Sequence, residues 1–287
     1  MMRAIQQAIF IVLLILLLAA LPFVIEVNPI DRTVATHLDK FAQMYQDFFK
    51  TLINGGLGTY TLGNQERNIA ADISSYFLTS LLLLVSGVTT AVIIGLLFGV
   101  FLSRFKLVRT VNLVLNILSA IPDFILIIFS LVLAISIYEI TGTRIISLRP
   151  DGGALNFWFP ILLVGLAPTL YMFKLIAIKY YEISSEDYIR TAVAKGLKVN
   201  YINFQHIYKN IEPYIIAELT KIVSIAIGNL FIIEYLLNVP GLTRFIFLSY
   251  QFQPVAIGLF SLLLVSLLVY CVIRLLLYLF KRGLIYE

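Results

Sequence analysis

The sequence predicts an all-α, polytopic membrane protein with about six transmembrane helices. Three observations carry that expectation. Of 287 residues, 60% are hydrophobic and only 13% charged, about half the charged fraction of a soluble domain. The mean hydropathy is +0.96. Apolar runs of about 18 residues or more, the length that crosses a bilayer core of roughly 30 Å, recur along the whole chain.

The first run, Ala8 to Ile25, follows Arg3. Its apolar core is long for a secretory signal, and "LPFVIEVNP" offers no small-x-small cleavage pattern, so a retained span is expected. In the segment 26–75, Val34, Leu38, Phe41, Tyr45, Phe48 and Leu52 recur at helical spacing. Asn54-Gly55 then supplies a stop signal. That helix is expected either to rest on the membrane or the bundle, or to serve as a docking surface for an external partner.

The remaining spans are expected at Tyr76–Leu102, Val111–Ile140, Phe157–Ile178, Tyr214–Leu237 and Pro254–Phe280, as one domain over 1–287. Pro122 is expected to kink the third, and Trp158 to anchor the fourth at an interface. Cys271, the single cysteine, excludes an internal disulfide and reads as a packing residue. With the N-terminus inside, the inner segments hold Arg3, Arg104, Lys106, Arg109, Lys179, Arg190, Lys195, Lys198, Lys209, Lys281 and Arg282. The outer segments, longer in total, hold seven basic residues against those eleven. Both termini are therefore expected in the cytoplasm, with 26–75 extracellular and 179–213 cytoplasmic.

The most hydrophilic long stretch, "EDYIRTAVAKGLKVNYINFQHIYKN", falls in that cytoplasmic segment. Ser184 and Asp187 have capping-box spacing. Ile189, Val193 and Leu197 share one face, and Gly196 is placed to end the helix through a left-handed residue. On periodicity alone this is a short interfacial helix.

Within it, "DYIRTAVAKGL" resembles the cytoplasmic signature of permease subunits of bacterial ABC importers in the peptide/nickel family, with Arg190, Thr191, Ala192, Ala194, Lys195 and Gly196 in register. Three further elements resemble the same family. They are "GGLGTY" (55–60), "AIPDF" (120–124) and "IIEYLLNVPGLTRF", with Glu234, Pro240, Gly241 and Leu242 aligned. Departures are Asp123 for a usual serine, Thr243 for glycine, Glu212 before Pro213, and the tail "KRGLIYE". The resemblance implies the type I ABC importer permease fold and a location in the bacterial cytoplasmic membrane. It makes the helix from Glu186 to Gly196 a coupling helix for an ATPase, Asp187 included among the coupling residues, and Pro240-Gly241 a structural turn. It also implies partners: a second permease, two cytoplasmic ATPases carrying ATP and Mg²⁺, and an external solute-binding protein. Oligopeptide is the expected cargo, with nickel or a metal chelate as the alternative within the family.

Ionisable residues inside spans are functional candidates by default. Two roles are open to Asp123, lining the translocation path or capping backbone groups freed by Pro122. Glu218 and Lys221 are expected to pair. Glu234 and Glu139 are placed near outer span ends within reach of water, Glu234 being the better path candidate. Lys174 and Arg274 are expected to snorkel to the headgroups. His37 and His206 fall on opposite sides of the membrane, so no metal site uses both. The chain contains no G-x-x-x-x-G-K-[ST] loop and no hydrolase motif, so no catalytic residue and no cofactor are expected on it. The competing function classes are a self-contained secondary transporter, which calls for inverted repeats or broken helices, and a non-transporting membrane scaffold.

Overall fold

A computed structural model describes residues 2–28, 33–36, 39–101, 113–115, 117–146 and 157–284. Six helices among them are long and apolar enough to cross a membrane: Ile5–Val24, Ile69–Val100, Asp123–Thr141, Trp158–Ser184, Val199–Leu236 and Phe252–Gly283. The chain divides into two compact units. One comprises Met1–Ser80 and Pro240–Val265, the other Leu81–Val239 and Ser266–Glu287.

In the first unit α1 (Met2–Val24) leads into an antiparallel ribbon, β1 (Ile25–Asn28) with β2 (Thr33–Thr36). The helix expected from Val34 onward starts later, as α2 (Asp39–Ile53), because Val34 is taken up by β2. Phe48 is 2% exposed and lies against Phe252 and Phe260, at 5.6 and 6.3 Å between ring centroids. The Tyr45 hydroxyl donates to the Leu16 carbonyl at 3.3 Å. The stop at Asn54-Gly55 forms as expected, with Gly55 at φ 77°.

A second ribbon, β3 (Thr59–Leu62) with β4 (Gln65–Asn68), turns through Gly63 at φ 61°. Gly58 sits at φ 91° against Gln253, whose amide donates to the Leu57 carbonyl at 3.0 Å. Tyr60 is 1% exposed, packs on Phe245, and donates to Asp72 Oδ2 at 2.7 Å. Burial, then the hydrogen bond and charge of Asp72, push its hydroxyl pKa up to about 12. The helix α3 (Ile69–Leu96) follows directly from β4.

The second unit is a helix bundle. The α3 helix continues through a π-helical turn, Leu97–Phe101. The expected third span breaks at Pro122 instead of kinking: a turn at 119–121 separates short helical stretches from α4 (Asp123–Thr141), which ends at Gly142 with φ 68°. Proline has no N–H to donate and suits the N-cap of a new helix better than the interior of a long one.

The fourth span is α5 (Trp158–Ser184). It crosses α3 closely, since a Cβ on Gly165 would stand 2.8 Å from the Gly87 carbonyl oxygen, and one on Gly99 2.4 Å from Ile176. Small residues at such crossings let helices approach in a medium that supplies no hydrophobic drive between them. Trp158 is 42% exposed and donates through Nε1 to the Ile145 carbonyl at 3.1 Å.

After α6 (Asp187–Ala194), the fifth apolar helix begins at Val199, well before the expected Tyr214. It comprises α7 (Val199–Tyr201), a π-helical segment Ile202–Tyr208, and α8 (Lys209–Leu236). Pro213 lies within α8, in its second turn. The chain then passes through Asn238, at φ 55°, to α9 (Leu242–Leu248), where Leu242 N–H donates to Ser80 Oγ at 2.7 Å. Gly241 is extended, and the left-handed residue of this stretch is Asn238.

The last span is α10 (Phe252–Leu284). Near its end Lys281 Nζ meets the buried Glu212 Oε2 at 2.8 Å, with Tyr208 and Phe280 stacked edge-on at 5.2 Å. This neutralises the unusual Glu212 of the "IEPY" run. Cys271 is exposed, not packed. His37, Leu38, Arg104, Lys106, Arg109 and the last three residues of the tail lie outside the described residues.

Two outcomes are expected. Gly165→Val, which drives a side chain into the Gly87 backbone, destabilises the purified protein by about 3 kcal/mol. The melting midpoint in detergent falls accordingly, while Gly283→Ala, whose Cβ meets open space, leaves it in place. In the absorbance difference between wild type and Tyr60→Phe, one phenol ionises near pH 12 instead of near its ordinary 10. Because the folded value is raised, the stabilisation from Tyr60 is fully present below about pH 10 and is lost as pH rises through about 12.

Candidate coupling surface and translocation face

The candidate coupling segment comprises the residues between α5 and the Val199 helix. Glu186, extended at φ −68°, ψ 147°, is the N-cap of α6 and makes no side-chain cap. The expected capping box does not form. Ser184 belongs to the end of α5 and donates back to the Tyr181 carbonyl at 3.1 Å, as Ser185 does to Glu182 at 2.7 Å. Asp187 opens the helix, where its charge suits the positive dipole end.

The C-terminus closes in a Schellman arrangement: Gly196 N–H donates to Val193 O at 2.9 Å and Leu197 N–H to Ala192 O at 3.3 Å. Gly196 sits at φ +74°, and a Cβ there would meet nothing within 4 Å. Glycine is thus required by backbone conformation and not by space.

The apolar residues of this segment divide into two sets. Ile189 and Ala192 are buried. Tyr188, Val193, Leu197, Val199 and Tyr201 are exposed, Val193 at 61%. The single Ile189–Val193–Leu197 face expected from spacing is therefore split, because α6 is too short to bury more than one contact line against its own bundle. Arg190 points out, with its side chain 72% exposed and only a 3.5 Å contact to the still more exposed Asp187. Thr191 Oγ1 returns to the Asp187 carbonyl at 2.9 Å. Ala194 and Lys195 lie on the exposed side beside Gly196. Tyr188 is also tied to Asn210, whose amide donates to its hydroxyl at 3.1 Å, and Tyr201 lies 5.8 Å from the His206 ring.

A second group of polar residues lies in the middle of the bundle. Glu218 and Lys221, expected as a pair, both meet Tyr171 on α5. The Tyr171 hydroxyl donates to Glu218 Oε2 at 2.5 Å, and Lys221 Nζ lies 4.6 Å from the ring centroid. Tyr171 was not legible as a site residue, since an aromatic inside a span reads as part of the apolar run. Beside them Thr220, Ser224 and Gly228 occupy the exposed side of α8.

Asp123 is the first residue of α4 and half-buried, and its N-cap Pro122 carries no side-chain cap. Glu234 is fully buried at 0% exposure, contrary to the expected access to water, while Glu139 is exposed on the last turns of α4. Lys174 and Arg274 are both exposed. Among the described residues no three His, Cys, Asp or Glu side chains gather where a metal ion could be held.

The model of the family described as "Binding-protein-dependent transport system inner membrane component" matches residues 87–285. Among curated proteins, the chain is 24% identical over 226 residues to the glutathione transport system permease protein GsiC of Escherichia coli (strain K12), covering 78% of this chain and 73% of that one. The same figures hold for GsiC of Shigella dysenteriae serotype 1 (strain Sd197). GsiC of Shigella flexneri serotype 5b (strain 8401) is 25% identical over 228 residues. The matched region takes in α6, the mid-bundle polar group and the last four long helices, so the chain belongs to the binding-protein-dependent transport inner membrane components and is a multi-pass permease subunit of an ABC importer.

Proposed function

We propose that this permease forms, with a second homologous permease, the path by which oligopeptides cross the bacterial cytoplasmic membrane. An extracellular solute-binding protein delivers the cargo to the side bearing 26–75. Two cytoplasmic ATPases, which hold the ATP and Mg²⁺, engage the helix Asp187–Ala194, and both termini of this chain lie on their side. The chain itself binds no cofactor and catalyses nothing.

The observation that carries this reading is the outward surface of α6. A free cytoplasmic helix gains nothing by exposing Tyr188, Val193, Leu197 and Tyr201 together, and an apolar patch rimmed by Arg190, Lys195 and Lys198 suits a protein groove. In this scheme Asp187, Arg190, Thr191, Ala192, Ala194, Lys195 and Gly196 transmit the ATPase movement. The Schellman closure at Gly196 makes α6 a rigid knob joined to the long helix at Val199. Pro240 and Gly241 shape the entry to α9. Asp123 and Glu234 are acidic candidates for the path, Glu234 only after a rearrangement that uncovers it. Peptide is preferred to nickel because the relatives' named substrate, glutathione, is itself a peptide.

Gly196→Val forces a β-branched residue into the left-handed region at a cost of about 1–2 kcal/mol and tilts the knob. ATP-dependent peptide uptake by the reconstituted transporter is expected to fall about tenfold or more, with the protein still inserted in the membrane. Val193→Asp is expected to weaken co-purification of the ATPases. Unchanged uptake by Gly196→Val contradicts the coupling role.

A further inference from the structure

At 1.5 Å per residue, Tyr171 lies about 20 Å from either end of α5, and Lys221 about 20 Å from either end of α8. A lysine side chain reaches only about 6 Å from its backbone, so Lys221 at the middle of a spanning helix does not snorkel to a headgroup. It is nonetheless exposed, as are Thr220, Ser224 and Gly228 on the same side of α8. The exposed residues of α4 are of the opposite kind: Phe124, Ile128, Phe129 and Val132, which suit lipid or an apolar partner. A cationic and hydroxyl-bearing face at mid-membrane suits water or a polar ligand.

The local chemistry is specific. Glu218 is occupied by the Tyr171 hydroxyl at 2.5 Å. That hydrogen bond fixes the tyrosine ring, and the ring holds the Lys221 ammonium over its face at 4.6 Å. Among the described residues no carboxylate comes within ion-pairing distance of Lys221. One of its three N–H donors goes to Tyr171, and the Glu218 charge stands close by, which leaves two donors for a ligand. Gly228, two turns along the same side, carries no side chain, and its Cβ position meets no atom within 4 Å.

We infer that Lys221, held over Tyr171 by the Tyr171–Glu218 hydrogen bond, is a carboxylate-binding site for the cargo in mid-membrane. Lys221 is the contact residue, with Tyr171 and Glu218 positioning it. The inference rests on the importer reading and sharpens its cargo class: a peptide or chelate bearing a free carboxylate is drawn to this point, whereas a bare metal cation is repelled.

The test uses the complete transporter in liposomes with saturating loaded binding protein, and trialanine against trialanine amide as probes. Lys221→Gln is expected to lower maximal trialanine uptake about tenfold, the usual worth of a charged hydrogen bond. The half-saturating concentration of binding protein stays the same. Lys221→Arg retains most of the uptake, and amide uptake is unaffected by either change. Equal losses for both peptides, or no loss for either, overturn the carboxylate assignment. Failure of Lys221→Gln to assemble with the second permease overturns it in favour of a subunit contact. A wild-type complex that hydrolyses ATP yet accumulates neither peptide overturns the peptide reading itself, and with it the ligand assigned to this lysine.

Discussion

In a bilayer core no water is available to a backbone N–H or C=O, so each must be satisfied within its own helix. The rest of this protein follows from that constraint. The chain changes direction only where the debt is settled locally. Pro122, with no N–H, opens α4; Gly142 and Gly196 close helices through left-handed residues; Asn238 does the same before α9. The short helix α6 joins α5 to the Val199 helix, and a Schellman closure makes that joint stiff. A stiff joint suits force transmission better than a flexible loop does.

With backbones satisfied internally, helices are held together by close packing and a few polar contacts. The Gly87–Gly165 crossing brings two backbones into contact. The Lys281–Glu212 ion pair ties the end of the last helix to the start of α8, beside the π-helical turns. What is left unpacked is then informative. The outer sides of α4 and α10 are apolar, the outer side of α8 is polar at mid-depth, and the outer side of α6 is aromatic and aliphatic beyond the spans. In the proposed scheme these three kinds of exposed surface meet three kinds of neighbour: lipid or a second permease, an aqueous path, and a soluble protein groove.

The long helices were legible because hydropathy reports solvent over some twenty residues at once, and their number survives small errors at each end. Ends were less legible. The fifth helix starts at Val199, not Tyr214, since the polar run through His206 is carried on π-helical turns that hydropathy does not register. The ribbon at Thr59–Asn68 had a readable signal, the two residues Gly63-Asn64 between extended stretches, but it was masked by the expectation of helix alone. In the coupling segment the left-handed Gly196 followed from its type and place. The split of Ile189 from Val193 did not, because which side of an eight-residue helix is covered depends on neighbours far away in sequence. Glu218 and Lys221 were singled out by charge, whereas their meeting point, Tyr171, came from another helix and carried no mark of its own.

The central claim is that the surface around Tyr188, Val193 and Leu197 is a seat for an ATPase. The most direct measurement is to tag this chain, express it with its native partners, purify it in mild detergent and identify what accompanies it. The account predicts two ATPase subunits carrying a phosphate-binding loop, together with a second permease, in fixed proportion. Recovery of this chain alone, still moving peptide across liposomes without ATP, would contradict it.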